Sequence, residues 1–268
     1  NSYSAMLGTQ NSGLGSGFLP SNYPNPDLVW ESLNQTNFGI DFTMFENKLS
    51  ASFDVYDKKS EGFLFQVPLP LYLTGGGGQY GGVSAPYSNL GTMSNKGFDL
   101  TLGYDMRSTG NFNWNASMVV SQYKNNLDEI ANGIVLTQEV NTNGYQPVVV
   151  TNTTVGNPIG LFYGYKTAGL FKDQAALNSA PIQFGQPVGT GAGETALGDV
   201  RYVDVNNDGK IDANDKTFIG NPHPKFTYGF TNNFKYKNVD LSVFLQGSYG
   251  NDVMNLTRRG GTTNASLY

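Results

Sequence analysis

The sequence predicts an all-β protein, an antiparallel segment of a transmembrane β-barrel with long extracellular loops. Three pairs of segments alternate apolar and polar residues with period two, the pattern of strands that separate two media. The connection within each pair is short, whereas the connections between pairs run to tens of residues, an asymmetry typical of membrane barrels. Charged residues make up 14% of the chain and aromatic residues 13%, against about 25% charged in an ordinary soluble domain.

The first hairpin follows a polar, turn-rich stretch. Residues 1–30 contain several prolines and no periodic pattern, so they are expected to be an irregular connection. Strands are then predicted at 35–43 and 49–56, because apolar residues such as Phe38 and Ile40 fall on one face and polar residues fall on the other. A short turn joins the two strands.

The second hairpin follows a long loop. This loop is predicted at 59–96, where prolines and a run of four glycines interrupt the alternation. The strands of the hairpin are predicted at 98–104 and 112–118, with a short turn at 107–110. The hairpin design of the first pair is therefore repeated.

Between the second and third hairpins the pattern is weaker. Residues 125–158 are predicted to be another long connection, followed by a short strand at 160–166 and a brief helix within 171–180. A glycine-rich loop is expected at 181–195. These segments are expected to extend one rim of the barrel.

The third hairpin joins strands predicted at 225–234 and 239–246 through a short polar turn. Lipid would contact the apolar face of all three hairpins, and a wet lumen or a plug would contact the polar face. Closure of the barrel would remove the unpaired strand edges that hydrocarbon does not tolerate. The predicted strands are too few to close a wide barrel, so residues 1–268 are interpreted as part of one barrel domain whose remaining strands lie elsewhere.

The same alternation also occurs in a soluble β-sandwich or a repetitive surface adhesin, where one face packs against a core. The long connections favour the barrel, because soluble β-domains mostly use connections of about 4 to 6 residues. The two interpretations differ in solubility: an adhesin fragment should dissolve without detergent, whereas strands cut from a barrel should aggregate.

Composition and local pattern exclude several function classes. The net charge of −5 does not suit a nucleic-acid-binding surface. Cysteine is absent, so disulfides, thiolate chemistry and cysteine-based zinc sites are ruled out. His223, the single histidine, stands between two prolines and is expected to be a solvated loop residue. Asp128 and Glu129 are adjacent on extended chain and point apart, so they do not form a carboxylate pair for glycoside hydrolysis, and no enzyme activity is predicted.

The sequence predicts neither a membrane-spanning helix nor a signal peptide. No segment approaches the roughly 18 uncharged apolar residues of a spanning helix. The first residues carry neither the basic region nor the apolar core of a signal peptide. The sequence is therefore interpreted as an internal piece of a longer polypeptide.

An oxygen-rich loop at 204–215 has the spacing of an EF-hand-type calcium loop. Its predicted ligands, in order of position, are Asp204, Asn206, Asp208, the main-chain carbonyl of Lys210, Asp212 and Asp215. Gly209 stands at the sharp turn. The last ligand is an aspartate where a bidentate glutamate is usual, which favours weaker binding, and the flanks predict strands rather than helices. The alternative is a solvated turn whose carboxylates accept main-chain N–H bonds without a metal.

An ordered set of motifs resembles the SusC/RagA-type TonB-dependent outer-membrane transporters. The motifs are NPDLVWE at 25–31, QTNFGIDF at 35–42, NLGTMSNKGFDL at 89–100, GNPIG at 156–160, FYGYK at 162–166, the loop at 204–215, GNP at 220–222, PKFTYG at 224–229 and LQGSYGND at 245–252. Each motif alone is weak, whereas the ordered set is specific and extends over residues 25–260.

The resemblance implies a barrel of about 22 strands, with an N-terminal plug and a TonB-contacting segment that these residues do not include. It implies energy from the TonB complex, a SusD-like surface lipoprotein as partner, surrounding outer-membrane lipid, and a place in the cell outer membrane of a Gram-negative, Bacteroidetes-type bacterium. The implied cargo is an oligosaccharide, less often a peptide, captured by loops rich in tyrosine, asparagine and glutamine. Tyr72, Tyr80, Tyr87 and Tyr145 lie in such loops, although each is also explained as an ordinary loop aromatic.

Overall fold

The computed structural model describes residues 3–6, 17–20, 23–66, 83–106, 110–131, 134–142 and 145–255. Its strands, in chain order, are β1 (Tyr3–Met6), β2 (Gly17–Pro20), β3 (Ser32–Met44), β4 (Leu49–Glu61), β5 (Leu64–Gln66), β6 (Tyr87–Asn89), β7 (Gly91–Met106), β8 (Phe112–Ile130), β9 (Leu136–Thr142), β10 (Tyr145–Thr153), β11 (Leu161–Tyr165), β12 (Thr167–Leu170), β13 (Ile182–Gln183), β14 (Val200–Tyr202), β15 (Lys210–Ile211), β16 (Lys216–Gly220), β17 (Phe226–Tyr236) and β18 (Val239–Tyr249). A short helix, α1 (Gln174–Asn178), and a 3-10 turn at Ala213–Asp215 lie among them.

Six strands form the main sheet, which is antiparallel and has the order β18, β17, β8, β7, β4, β3. The three predicted hairpins are confirmed as β3–β4, β7–β8 and β17–β18. β3 and β4 pair from Ser32 opposite Glu61 to Met44 opposite Leu49 without a register shift. This register keeps the apolar residues of both strands on one face, since a shift of one residue would move them to the other.

The strands of the main sheet extend well beyond the predicted segments. β4 continues to Glu61, β7 begins at Gly91 and β8 continues to Ile130. The loops predicted at 59–96 and 125–158 are therefore too long, because strands of the main sheet occupy part of each range. In these extensions polar residues occupy both faces, so the period-two signal disappears although the main-chain pairing continues.

A second antiparallel sheet has the order β16, β11, β10, β9. The strand predicted at 160–166 is confirmed as β11, while β9 and β10 occupy a stretch predicted to be a connection. The predicted helix is confirmed as α1, which Asp173 caps by accepting a hydrogen bond from the N–H of Ala176 at 2.7 Å. β1 and β2 pair within residues predicted to be irregular, which corrects that prediction. Over the described part of the chain, no helix has the length and apolarity needed to cross a membrane.

The short turns of the main sheet share one end. Residues 45–48 join β3 to β4, and residues 237–238 join β17 to β18; the turn between β7 and β8 includes residues 107–109, which lie outside the described residues. Three consecutive residues of the first turn have φ values of 56°, 55° and 65°. The connections from β4 to β7 and from β8 to β17 leave the opposite end, so the two ends differ as the two rims of a membrane barrel do.

The fully buried apolar side chains lie away from the apolar face of the main sheet. Fully buried apolar side chains include Leu127 in the extension of β8, and Phe171 and Ile211 in the long connection between β8 and β17. In contrast, Phe38 is 67% exposed and Leu241 is 56% exposed. Among the described residues, β3 and β18 also lack a neighbour on their outer edges. No described part of the chain therefore covers the apolar face or pairs with these two strand edges.

Candidate functional site

One face of the main sheet carries an apolar band. Two polar residues interrupt it: Gln122 opposite Phe98, and Asn232, which accepts a hydrogen bond from the indole N–H of Trp114 at 3.1 Å. The apolar band consists of alternate residues aligned by the strand registers: Phe38, Ile40, Phe42, Leu49, Ala51, Phe53, Val55, Phe98, Leu100, Leu102, Met118, Val120, Phe226, Tyr228, Phe230, Phe234, Leu241, Val243 and Leu245. Ten steps along β17 at about 3.3 Å each span about 33 Å, and a strand tilted by about 40° then crosses about 25 Å, the height of the apolar zone of a membrane barrel.

Aromatic rings mark both ends of the apolar band. At the turn end, the ring of Trp114 lies 5.3 Å from that of Tyr104 and stacks on Phe234 at 6.3 Å between centroids. At the other end, the ring centroid of Phe226 lies 5.2 Å from that of Tyr249. Aromatic residues are enriched where lipid meets water, so this placement suits a bilayer.

The face opposite the apolar band is predominantly polar. Asn233 donates a hydrogen bond to Asn115 Oδ1 at 2.8 Å and accepts one from Ser242 Oγ at 2.8 Å. A hydrogen-bonded row thus crosses β8, β17 and β18. A surface of this kind suits water or polar protein, because unpaired polar groups are costly in hydrocarbon.

The loop predicted to bind calcium lies between β14 and β16 and folds onto its own main chain. Asp204 accepts hydrogen bonds from the N–H groups of Asp208 and Gly209, at 3.2 and 2.8 Å. Asn206 accepts one from the N–H of Asp208 at 3.0 Å, and Asp208 accepts one from the N–H of Lys210 at 3.1 Å. The first four predicted ligand residues are therefore brought into one tight turn.

Asp215 is fully buried and closes the loop. Its carboxylate accepts hydrogen bonds from the N–H groups of Asp212 and Val205, both at 2.8 Å. These bonds, above all the one from Asp212, hold the pKa of Asp215 below its ordinary value against the opposing effect of burial. The pKa of Asp212 is lowered as well, chiefly by the N–H of Asn214 and by Lys210.

Calcium binding at this loop stays a prediction. The ammonium of Lys210 lies 3.2 Å from the carboxylate of Asp212 and 3.9 Å from that of Asp208, so a cation of the protein already neutralises part of the loop. Within the described ranges, no group of three or more His, Cys, Asp or Glu side chains is arranged so that it could hold a metal ion. A bound calcium ion would therefore also need the amide oxygen of Asn206, a main-chain carbonyl, and displacement of the ammonium.

We expect Asp215→Asn to loosen this loop. The asparagine NH₂ group would face a main-chain N–H, and loss of one charge-assisted bond should speed amide exchange at Val205 and Asp212 by about ten-fold, measured by hydrogen exchange with mass spectrometry. Because folding lowers the pKa of Asp215, its stabilising effect is complete above the ordinary carboxyl value and lost as the pH falls through the lower folded value. The wild-type loop should therefore keep its protection until strongly acidic pH.

Asp173→Asn is the matched control for this change. Asparagine caps a helix about as well as aspartate, so α1 should keep its exchange rate. Equal exchange in wild type and the Asp215 variant would contradict the closing role of this carboxylate.

The single histidine connects three segments of the chain through hydrogen bonds. His223 is partly buried, and its Nε2 lies 2.8 Å from the main-chain oxygen of Ile159, to which it donates. Its Nδ1 lies 3.2 Å from the hydroxyl of Tyr123, which then donates to it. Ile159 in turn donates its N–H to Asn125 Oδ1 at 2.8 Å. His223 therefore lies in a loop, as expected, but its ring is partly buried and hydrogen-bonded rather than free in solvent. Sequence reasoning missed Tyr123 and Asn125, because no local pattern signals contacts between distant segments.

Two of the four loop tyrosines named from the sequence lie within the described residues. Tyr87 lies in β6 and is 49% exposed, and Tyr145 begins β10. Tyr72 and Tyr80 lie outside the described residues. A common binding site for the four tyrosines therefore stays a prediction.

Comparison with known proteins places the chain in a family. A family model described as TonB dependent receptor-like, beta-barrel matches residues 1–264. TonB-dependent receptor P3 of Formosa agariphila is 30% identical over 241 residues, which cover 90% of this chain and 22% of the relative. TonB-dependent receptor P26 of the same organism is 31% identical over 258 residues, 95% of this chain and 23% of the relative. The chain thus spans less than a quarter of the length of these relatives.

Solved structures agree with this placement at the level of the fold. The structure of the RagAB peptide transporter superposes with a TM-score of 0.64 at 24% identity, over 92% of this chain and 24% of that one. The RagAB peptide importer in its closed-closed state gives 0.64 at 23% identity, over 93% and 24%. The family match extends over nearly the whole chain and removes the alternative of a soluble sandwich or adhesin: the chain belongs to the TonB-dependent receptor-like β-barrel family.

Proposed function

We propose that this chain forms one wall of the transmembrane barrel of a TonB-dependent importer in the outer membrane of a Bacteroidetes-type bacterium. The observation that carries the proposal is the main sheet, with the apolar band on one face and polar residues on the other. Lipid would cover the band, and the polar face would line the lumen. The family consists of receptors and transporters, which are not enzymes, in agreement with the prediction from the sequence.

The remaining polypeptide, outside residues 1–268, would supply the other strands, the plug and the contact with the TonB complex. The limited share of the relatives that this chain covers supports this division. The outer edges of β3 and β18, with which no described strand pairs, support it too, because unpaired N–H and C=O groups along a strand edge are costly in a bilayer.

We infer that the cargo is a nutrient oligosaccharide, with a peptide as the second candidate, and that a SusD-like surface lipoprotein helps to capture it. An aromatic cluster in the long connection supports an oligosaccharide. The rings of Tyr165, Phe184 and Tyr202 lie 5.1 to 5.6 Å apart between centroids, and Phe184 is 44% exposed. The ammonium of Lys216 lies over the ring of Tyr165, 5.5 Å from its centroid, so the exposed ring of Phe184 is the one that suits stacking against a sugar ring.

Uptake by the whole bacterium tests this function. Deletion of the full-length gene should reduce uptake of at least one member of a panel of fluorescent oligosaccharides to the background level. Collapse of the proton gradient should have the same effect, since the TonB complex would drive import. Loss of peptide uptake alone would reassign the cargo, and unchanged uptake of both cargo classes would overturn the function.

We further propose that the loop at 204–215 binds calcium weakly, through Asp204, Asn206, Asp208, the carbonyl of Lys210, Asp212 and Asp215. Support comes from the ligand spacing and from the hydrogen-bonded turn around Asp204 and Asp208. Extracellular calcium modules have dissociation constants of about 10⁻⁴ to 10⁻³ M, a range that suits a loop lacking the bidentate glutamate.

Calcium titration of the full-length protein, followed by its melting temperature, tests the loop. Asp208→Asn should weaken the calcium response about ten-fold by removing ligand charge. Lys210→Gln should strengthen it, because the competing ammonium is gone, and Asp173→Asn should leave it unchanged. A melting temperature that does not respond to about 10 mM calcium would leave the loop as a metal-free turn.

A further inference from the structure

A row of charged side chains borders the apolar band at the end of the sheet away from the short turns. On β4 and β7 the apolar band ends at Val55 and Phe98, which pair with each other. Two residues farther along the same face, Lys96 of β7 pairs with Asp57 of β4 and with Lys124 of β8. All three charged side chains are exposed. We call Asp57, Lys96 and Lys124 the charged row.

The charged row has the height of lipid headgroups. Two residues advance about 6.6 Å along a strand, and about 5 Å across the membrane when the strand is tilted by about 40°. A bilayer that covers the apolar band therefore places its headgroups beside the charged row. The long connections leave the sheet at this end, which is the extracellular rim in a membrane barrel, so these headgroups belong to the outer leaflet.

The charged row carries one positive charge in excess. The ammonium of Lys96 lies 2.8 Å from the carboxylate of Asp57. Lys124 stands directly opposite Lys96, an arrangement of like charges that destabilises a strand pair. Among the described carboxylates, none forms an ion pair with Lys124. An anion that contacts both ammonium groups would offset their repulsion.

The other acidic side chains of this face lie farther from the apolar band. Asp128 accepts a hydrogen bond from Ser94 Oγ at 2.9 Å, and Glu61 lies 2.8 Å from the ammonium of Lys59. Glu129 shares a row with Glu61, because both stand opposite the same residue of β7. That row lies two steps beyond the charged row, so the excess charge remains next to the band.

We propose that Lys96 and Lys124 bind the phosphate of an anionic lipid headgroup in the outer leaflet. This inference rests on the proposed function, in which lipid covers the apolar band. A phosphate offers several oxygens and accepts hydrogen bonds from both ammonium groups at once. The acyl chains of the same lipid would lie against Phe98 and Val120, whereas a soluble anion would use only the charge.

Native mass spectrometry of the full-length protein tests the site, after release from nanodiscs of equal parts phosphatidylglycerol and phosphatidylcholine. The wild type should retain more phosphatidylglycerol than phosphatidylcholine. Lys124→Gln should lower this ratio about five-fold, because one positive charge at the membrane surface is lost. An equal ratio in wild type and the Lys124 variant would overturn the proposal.

Lys58→Gln is the matched control, with the same loss of charge at nearly the same height. Lys58 lies on the opposite face of β4, where its ammonium stands 4.7 Å from the ring centroid of Tyr56. The retained lipid ratio should stay at the wild-type value. An equal loss in the Lys58 and Lys124 variants would overturn the proposal, because net charge alone would then explain the preference.

A change of buffer separates a lipid headgroup from a soluble anion. Replacement of sodium chloride by sodium phosphate at equal ionic strength should leave the lipid ratio unchanged, because a headgroup held in the leaflet has a high effective concentration. Loss of the preference in phosphate buffer would assign the two lysines to a soluble anion and overturn the proposal.

A photo-cross-linking probe separates this proposal from the proposed function. Phe230 lies in the apolar band, opposite Met118, and p-benzoyl-L-phenylalanine in its place should give lipid adducts. Lipid adducts without a preference for phosphatidylglycerol would refute only the headgroup site. Protein adducts instead of lipid adducts would refute the membrane wall, and the headgroup site with it.

Discussion

Met118→Arg is expected to lower the free energy of unfolding of the full-length barrel by about 2 to 4 kcal/mol, whereas Ser117→Arg should change it by less than about 1 kcal/mol. Met118 lies in the middle of the apolar band, opposite Leu102 and Phe230 on the neighbouring strands. An arginine there would stand in hydrocarbon. Ser117 faces the polar side opposite Gly103, where a long side chain finds room and water.

The two arginine variants differ by one position along β8, so strand propensity and overall charge are matched. Equilibrium unfolding in lipid vesicles gives both free energies under the same conditions. Equal losses in the two variants would contradict the assignment of lipid to one face and lumen to the other.

Gly97→Ala is expected to lower the free energy of unfolding by about 1 to 3 kcal/mol through overpacking. A Cβ at residue 97 would overlap the main-chain oxygen of Gln122 and lie 2.6 Å from the hydroxyl of Tyr56. Tyr56 and Tyr123 both stand opposite Gly97 on the flanking strands. The glycine therefore leaves space for the ring of Tyr56. A methyl group at this position would force the strand or the ring to move.

Gly103→Ala is the control for this change, on the same strand and the same face. The close neighbour of its Cβ would be the hydroxyl of Ser50 at 2.5 Å, a group that can rotate away. We expect a change within about 0.5 kcal/mol, partly because alanine is better than glycine in a strand. A comparable loss at both glycines, in the same vesicle unfolding assay, would show that close packing at Gly97 is not the cause.

The strands were predictable from the sequence where one face of the main sheet is apolar and the other is polar. Phe38, Ile40 and Phe42 alternate with polar residues, and the structure places them on the predicted face. The sequence did not predict the strand extensions beyond the apolar band, where polar residues occupy both faces of the sheet. There Asp57 and Lys96 form a 2.8 Å ion pair between β4 and β7, which stay paired although no hydrophobic period marks them.

In the candidate site, the sequence could predict only contacts between residues that are close together along the chain. The ligand order from Asp204 to Asp215 could be counted along the chain, because a tight loop brings close neighbours together. The ammonium of Lys210 beside Asp212, and the contact of His223 with Tyr123, depend on side-chain direction and on strand register.

The central claim is that this chain is a membrane-embedded wall segment of a larger closed barrel, and a high-resolution structure of the full-length polypeptide in a lipid nanodisc tests it most directly. We predict that the free edges of β3 and β18 are both hydrogen-bonded to strands outside residues 1–268, with the apolar band against lipid. A structure in which the band packs against a second sheet, or in which either edge stays unpaired, would contradict the claim.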